Sequence, residues 1–335
     1  MTSRRVICAI LFLLLFAAVG YLYWDTRSFV RIPDAEARME QGVSGDSVLV
    51  IERIVEIAPA TPPRVPAFIV FAGDTIRFDR ADLYERMDRE LIAFTYSHTN
   101  TLLMLKRSGR IFPQVEPILA ANGVPDDLKY LMAIESNLSE TAVSVAGAAG
   151  LWQFMKEVGR EYGLEVSLTV DERYNLKKET EAACAYLKKS YAKFGDWMTV
   201  AASYNGGING VTRRLENQQQ RHALDLHLVE ETSRYMFRIL VAKMLFEDPA
   251  LFGFSREDAG LYPYFPPSRT VVISSSIDDL AEFAGRYGLT YAQLRRANPW
   301  LRDIRLSAGR GRQYEIIIPD LAAERNYYIN LSDNR

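Results

Sequence analysis

Between Phe112 and Pro249, apolar residues recur at helical intervals, and the interruptions fall on glycines: Gly123, the Gly147 to Gly150 turn, Gly163, Gly195 and the Gly206-Gly207 pair. Helices this short are marginal alone and gain their stability by packing on one another. The stretch is therefore predicted to form an all-helical domain. After Pro263, Pro266 and Pro267 the pattern changes to a β-branched run at Thr270–Ile273, a helical stretch, and a second β run at Glu315–Ile318. A separate small domain is expected from residue 268 to 320.

Upstream, Ile51 to Pro66 is proline-rich and without a sustained period, as in an extended arm. FIVFAGDTIRF has the pattern of a hairpin around Ala72-Gly73-Asp74, and Asp79 to Arg107 carries Leu83, Met87, Leu91 and Ile92 at helical spacing. Val6 to Trp24 is a run of nineteen residues without a charge, preceded by Arg4 and Arg5. It is long enough to span a bilayer with the N-terminus inside. Ala18-Val19-Gly20 leaves a cleaved signal peptide open as the alternative. Either way the rest of the chain is expected outside the cytoplasm, on the periplasmic face of the inner membrane or free in the periplasm.

A formal charge of -2 on 335 residues offers no broad basic surface, so nucleic acid is not an expected partner. The cysteines, Cys8 and Cys184, form no framework, and His98, His222 and His227 have no ligand spacing. Cys184 reads as a buried free thiol, and neither metal nor cofactor is expected. The sequence names no protein partner.

The helix opening at Pro125-Asp126-Asp127 continues as LKYLMAIESNLS, with acidic residues where the helix dipole favours them. Glu135 has Leu131, Met132, Leu138 and Ser139 at i-4, i-3, i+3 and i+4, so no cation on this helix neutralises it. Burial there would raise its pKa and suit a general acid. The helix alone leaves open a solvent-facing or arginine-paired Glu135. Ser144 to Gly150 has almost no side-chain bulk and lets backbone approach a ligand or close a tight corner. Ala201-Ala202-Ser203-Tyr204-Asn205-Gly206-Gly207 places a ring and an amide at a helix end. Acidic side chains at Glu157, Glu161 and Asp171 lie in charged stretches and read as solvated faces.

Together, Glu135-Ser136, the string Ser144, Gly147, Ala148, Gly150, Leu151 and Gln153, the pair Tyr204-Asn205, and Glu231-Thr232-x-x-Tyr235 resemble the lytic transglycosylases related to goose-type lysozyme. The resemblance covers about residues 112 to 250. It implies a mainly α protein: a membrane helix or signal (1–25), an arm with hairpin and packing helix (26–111), and a lysozyme-like catalytic domain (112–255). The small α+β domain (268–320) resembles a βααβ LysM unit. Ser274-Ser275-Ser276-Ile277 and Ala308 to Arg312 stand where that family has other turns. This leaves open whether the unit binds N-acetylglucosamine polymers or packs on the catalytic domain without sugar affinity.

By the same resemblance Glu135 is acid and base in cleavage of peptidoglycan strands to 1,6-anhydro ends, and Ser144, Gln153, Tyr204, Asn205 and Tyr235 bind the sugar and its N-acetyl group. Trp152 and Ser203 replace the family's usual methionine and alanine, at positions expected to shape the groove. A lysozyme-type hydrolase on the same fold and a non-catalytic wall-binding protein are the rival readings.

Overall fold

A computed structural model describes residues 61–254 and 260–333. The apolar run at residues 6–24, with the anchor and signal expectations attached to it, lies outside the described residues. Among the described residues no helix is long and apolar enough to cross a membrane.

The described chain begins with a hairpin, β1 (Phe68–Phe71) against β2 (Asp74–Arg77), in the register Ile69 to Ile76 and Phe71 to Asp74. Ala72 and Gly73 turn the chain with φ of 52° and 95°, the left-handed conformation that two-residue hairpin turns require. Ile69, Phe71 and Ile76 are buried, so one face of the hairpin is core. The expected single packing helix is two, α1 (Ala81–Tyr96) and α2 (His98–Ala121), broken at Ser97. Helix α2 runs through residue 112, so the arm is continuous with the domain after it.

The helical body continues with α3 (Leu128–Ser136), α4 (Lys156–Glu161), α5 (Leu176–Phe194), α6 (Trp197–Gly206), α7 (Ile208–Gln218) and α8 (Glu230–Glu247). The breaks coincide with the glycines read from the sequence; Gly195, at φ 68°, caps α5. Helix α8 is the pillar, packed by α1, α3 and α6 and buried from Tyr235 to Val241 except at half-buried Arg238. Asp127, expected to favour the start of α3 through its charge, has a specific task. Its carboxylate accepts from Lys243 Nζ of α8 at 2.7 Å and from Ala72 N of the hairpin at 2.7 Å, tying three elements together.

The C-terminal unit is βααβ, as expected: β3 (Arg269–Ile273), α9 (Leu280–Gly285), α10 (Tyr291–Ala297) and β4 (Tyr314–Ile318), with β3 and β4 antiparallel. Asn298 is fully buried and joins α10 to β4 by donating to Leu294 O and Ile317 O and accepting from Ile317 N. A further helix, α11 (Leu321–Asp333), follows beyond the boundary read from the sequence. The unit does not close its core alone. Its core of Leu280, Leu294, Leu301, Leu306 and Ile316 is completed by Ala149, Val170 and Tyr174 of the helical body. Trp300 and Tyr314 stack inside this core, which withdraws both rings from any sugar.

Candidate active site

Glu135 sits in the last turn of α3, a helix buried along most of its length. The chain leaves α3 through Asn137 and Leu138, both left-handed, with φ of 50° and 55°. Leu131, Met132 and Leu138 are fully buried around the half-buried Glu135, as the spacing required. Burial pushes the Glu135 carboxyl up to about 7, and the charge of Glu231 adds to the shift. Two groups on α8 oppose it. Tyr235 Oη donates to Glu135 Oε1 at 2.5 Å, and the half-buried Arg238 favours the charged form through space. The carboxyl is therefore neither solvent-facing nor paired to a distant arginine in an ion pair; its partner is a buried phenol.

Tyr235 and Asn205 are brought to the same place from different helices. Thr232, one turn before Tyr235, donates through Oγ1 to Asn205 Oδ1 at 2.7 Å, which orients that amide. Beside the end of α3, a polar hollow of about 200 Å³ is lined by Glu90, Asn100, Asn137, Arg234 and Arg238.

The loop from Ala142 to Phe154 forms a small tongue, with bridges between Val143 and Ala149 and between Ala149 and Phe154. Ser144 closes its tip, accepting from Ala148 N at 3.0 Å through Oγ. Gln153 is left-handed at φ 50°, and its Nε2 donates to Ala142 O and Gly150 O at 3.2 and 2.8 Å. Gly150 is required by close approach as well as by its φ of 82°: a Cβ there would lie 1.7 Å from Arg173 O.

Tyr204 does more than border the site. Its hydroxyl donates to Trp152 O at 2.7 Å, its ring packs on Trp152, Phe154 and Tyr186, and it feels the charge of Glu135. Among the residues singled out from sequence, Glu135, Tyr204 and Tyr235 form one cluster, and Asn205 is tied to the helix of Tyr235 through Thr232. Ser144 and Gln153 belong to the tongue, with their hydrogen bonds spent largely on its own backbone.

Three sequence readings are corrected here. Trp152 lies in the core with no exposed surface, and its Nε1 donates to Thr180 Oγ1 at 3.0 Å. Ser203 is equally buried and bonds Ser190, so neither departure shapes the groove surface. Asp171 is a buried partner of Arg173 and not a solvated face, whereas Glu157 and Glu161 are exposed as read. Glu179, Arg173 and Arg238 carry no local sequence signal, because each acts on an element distant in sequence. Glu179 is buried on α5 and accepts from the backbone of Leu151 and Trp152, the latter at 3.2 Å; burial pushes its carboxyl well up. Cys184 is a buried free thiol, raised by burial to about 11. Among the described residues no cluster of His, Cys, Asp and Glu could hold a metal ion.

A mainly helical body with a half-buried carboxyl held by a buried phenol and a glycine-rich tongue, followed by a βααβ unit, defines a class. Residues 116–226 match the transglycosylase SLT domain, and residues 269–322 match the soluble lytic transglycosylase C-terminal LysM-like domain. The chain carries an SLT transglycosylase domain joined to a LysM-like domain of the soluble lytic transglycosylases, and it is homologous to membrane-bound lytic murein transglycosylase D.

That relative, from Escherichia coli (strain K12), is 26% identical over 265 residues, 76% of this chain and 56% of its own. A putative tributyltin chloride resistance protein of Alteromonas sp. (strain M-1) is 30% identical over 95 residues, 28% of this chain and 46% of its own. The chain spans about half the length of the curated relatives it matches. Among solved structures, the 70 kDa soluble lytic transglycosylase of Escherichia coli aligns with a TM-score of 0.37 at 16% identity, covering 51% of this chain and 31% of that one.

Proposed function

We propose that this protein is a peptidoglycan lytic transglycosylase that cleaves the β-1,4 bond between N-acetylmuramic acid and N-acetylglucosamine. The observation that carries the reading is Glu135, whose pKa of about 7 leaves it substantially protonated near neutral pH and able both to give a proton and to take one back. In the first step Glu135 protonates the leaving glycosidic oxygen while the substrate's own N-acetyl group assists at the anomeric carbon. In the second, the Glu135 carboxylate removes the proton of the muramic 6-hydroxyl, whose oxygen closes on that carbon to give a 1,6-anhydro end. The proton returns to its starting place and no water is consumed. Substrate assistance removes the need for the second carboxylate of ordinary glycosidases.

Tyr235 suits this cycle because its hydroxyl bonds the carboxylate while the proton is away. In this reading the Asn205 amide, Ser144, Gln153 and the Tyr204 ring hold the sugar and its N-acetyl group. Glu179 is sealed beneath the tongue and is not placed as a nucleophile for a two-carboxylate mechanism. The name of the Escherichia coli relative, a membrane-bound murein enzyme, supports a cell-envelope location. Residues 6–24 are proposed to anchor the chain to the inner membrane, or to direct its export if cleaved.

Mass spectrometry of sacculi digested by the purified protein tests the reading. Anhydro-ended fragments are expected. Fragments one water heavier with reducing ends would make the protein a hydrolase, and no released fragment would leave the wall-binding reading.

A further inference from the structure

We propose that the LysM-like domain is a strut for the glycine-rich tongue, which Tyr204 of the site joins through its hydrogen bond to Trp152 O, and that Arg173 is the positioning residue through which it acts. The kinetic part of this proposal rests on the transglycosylase reading; its structural part does not.

The tongue is held from within by Ser144 and Gln153, but its tip has few side chains to pack. Residues 145–148 are small, and Gly147 and Gly150 are left-handed. Arg173 adds a hold from outside. Its Nη1 donates to Gly147 O at 2.8 Å and to Phe154 O at 3.0 Å, so one guanidinium grips the tip and the base of the tongue. Asp171 aims that guanidinium with a two-point contact, Nε to Oδ1 at 3.0 Å and Nη2 to Oδ2 at 2.8 Å, and both side chains are buried.

The segment carrying this pair, residues 165–174, has one short turn of helix, Glu172–Tyr174, and its other flank is occupied by the C-terminal domain. Val170 bridges Leu301; Asp171 N donates to Trp300 O and Arg302 N to Thr169 O, each at 2.8 Å. Ser307 N donates to Thr169 Oγ1, and Tyr314 Oη donates to Glu165 Oε2 at 2.9 Å. The Arg302 guanidinium lies 4.4 Å from the centre of the Tyr174 ring. Arg312 reaches both Glu165 and Glu172 at 3.4 Å.

The route from the domain to the tongue is thus one segment long. Loosening the domain would expose Val170 and Tyr174 and unseat the backbone on which Arg173 stands. A tethered wall-binding module needs none of these contacts.

The test uses the full chain and a soluble glycan oligomer, together with amide hydrogen exchange of residues 144–154. Arg173→Met should raise KM about tenfold, on the scale of losing charge-assisted hydrogen bonds, with kcat within about threefold. Arg173→Lys should restore part of that loss. Arg302→Ala, which alters the seam and leaves every tongue contact in place, should raise KM about threefold. Both Arg173→Met and Arg302→Ala should speed exchange in the tongue. Should Arg173→Met fail to fold, Arg302→Ala carries the test.

Unchanged KM and unchanged tongue exchange in the folded variants, with loss confined to binding of insoluble sacculi, would overturn the proposal. If the wild type does not cleave the oligomer, the transglycosylase reading fails and exchange alone decides. Faster exchange in the tongue then supports the strut, and unchanged exchange overturns it.

Discussion

Glu135 and Glu179 are two glutamates set in one helical body, and loss of solvent raises the pKa of both. They differ in what reaches them. Glu135 is half-buried and shares one oxygen with the Tyr235 hydroxyl. Glu179 is sealed, and its carboxyl accepts from the amides that begin the turn after Gly150. The contrast teaches that desolvation alone does not make an acid for catalysis. The group must also keep a face open to substrate and a donor that stabilises its charged form without fixing it there.

The largest expected effect separates the two carboxyls directly. Glu135→Gln should lower clearing of sacculi by about 10²- to 10⁴-fold while the chain stays folded in thermal melts. Glu179→Gln, which keeps an acceptor for the amides, should stay within a few-fold of wild type. Equal losses from both would abolish the distinction. Glu179→Leu sharpens it from the side of stability. Leaving buried N–H groups of Leu151 and Trp152 unsatisfied should destabilise the fold by about 2–4 kcal/mol in denaturant titration.

A smaller effect follows from linkage. The folded-state pKa of Glu135, about 7, exceeds its ordinary value of 4.5, so the ionised form is disfavoured by folding. Stability from this group is fully present below about pH 4.5 and is lost as pH rises to about 7. Glu135→Gln should therefore gain on wild type by up to about 2 kcal/mol at pH 8, discounted for partial exposure, and the advantage should shrink towards pH 4.5. A pH-independent difference would mean that the carboxyl titrates normally.

The smallest effect tests the phenol. The Tyr235 hydroxyl favours the carboxylate, so Tyr235→Phe should raise the Glu135 pKa further and move the alkaline limb of the pH–rate profile up by less than about one unit. A downward shift would assign the hydroxyl a different partner in the working enzyme.

Much of this protein was legible in one dimension. Helix ends at Gly123, Gly163, Gly195 and Gly206, the Ala72-Gly73 hairpin and the βααβ order of the C-terminal unit follow from local backbone preference and from apolar period. Glu135 stood out because its own helix offered it no cation, a property of four sequence neighbours. What sequence could not state was which distant group comes to each buried polar atom. That Glu135 is met by Tyr235, a hundred positions away, depended on α3 packing against α8.

The same limit misplaced Asp171, Trp152 and Ser203. A charged or aromatic letter reads alike whether it faces water or fills a seam, and burial is a property of the partner surface. The order of helices, strands and turns was therefore written locally in the chain. The partners of Asp171, Arg173 and Glu179, and the joining of two domains through Val170 and Tyr174, were decided by tertiary packing, because buried polar groups must be satisfied by whatever the fold brings within reach.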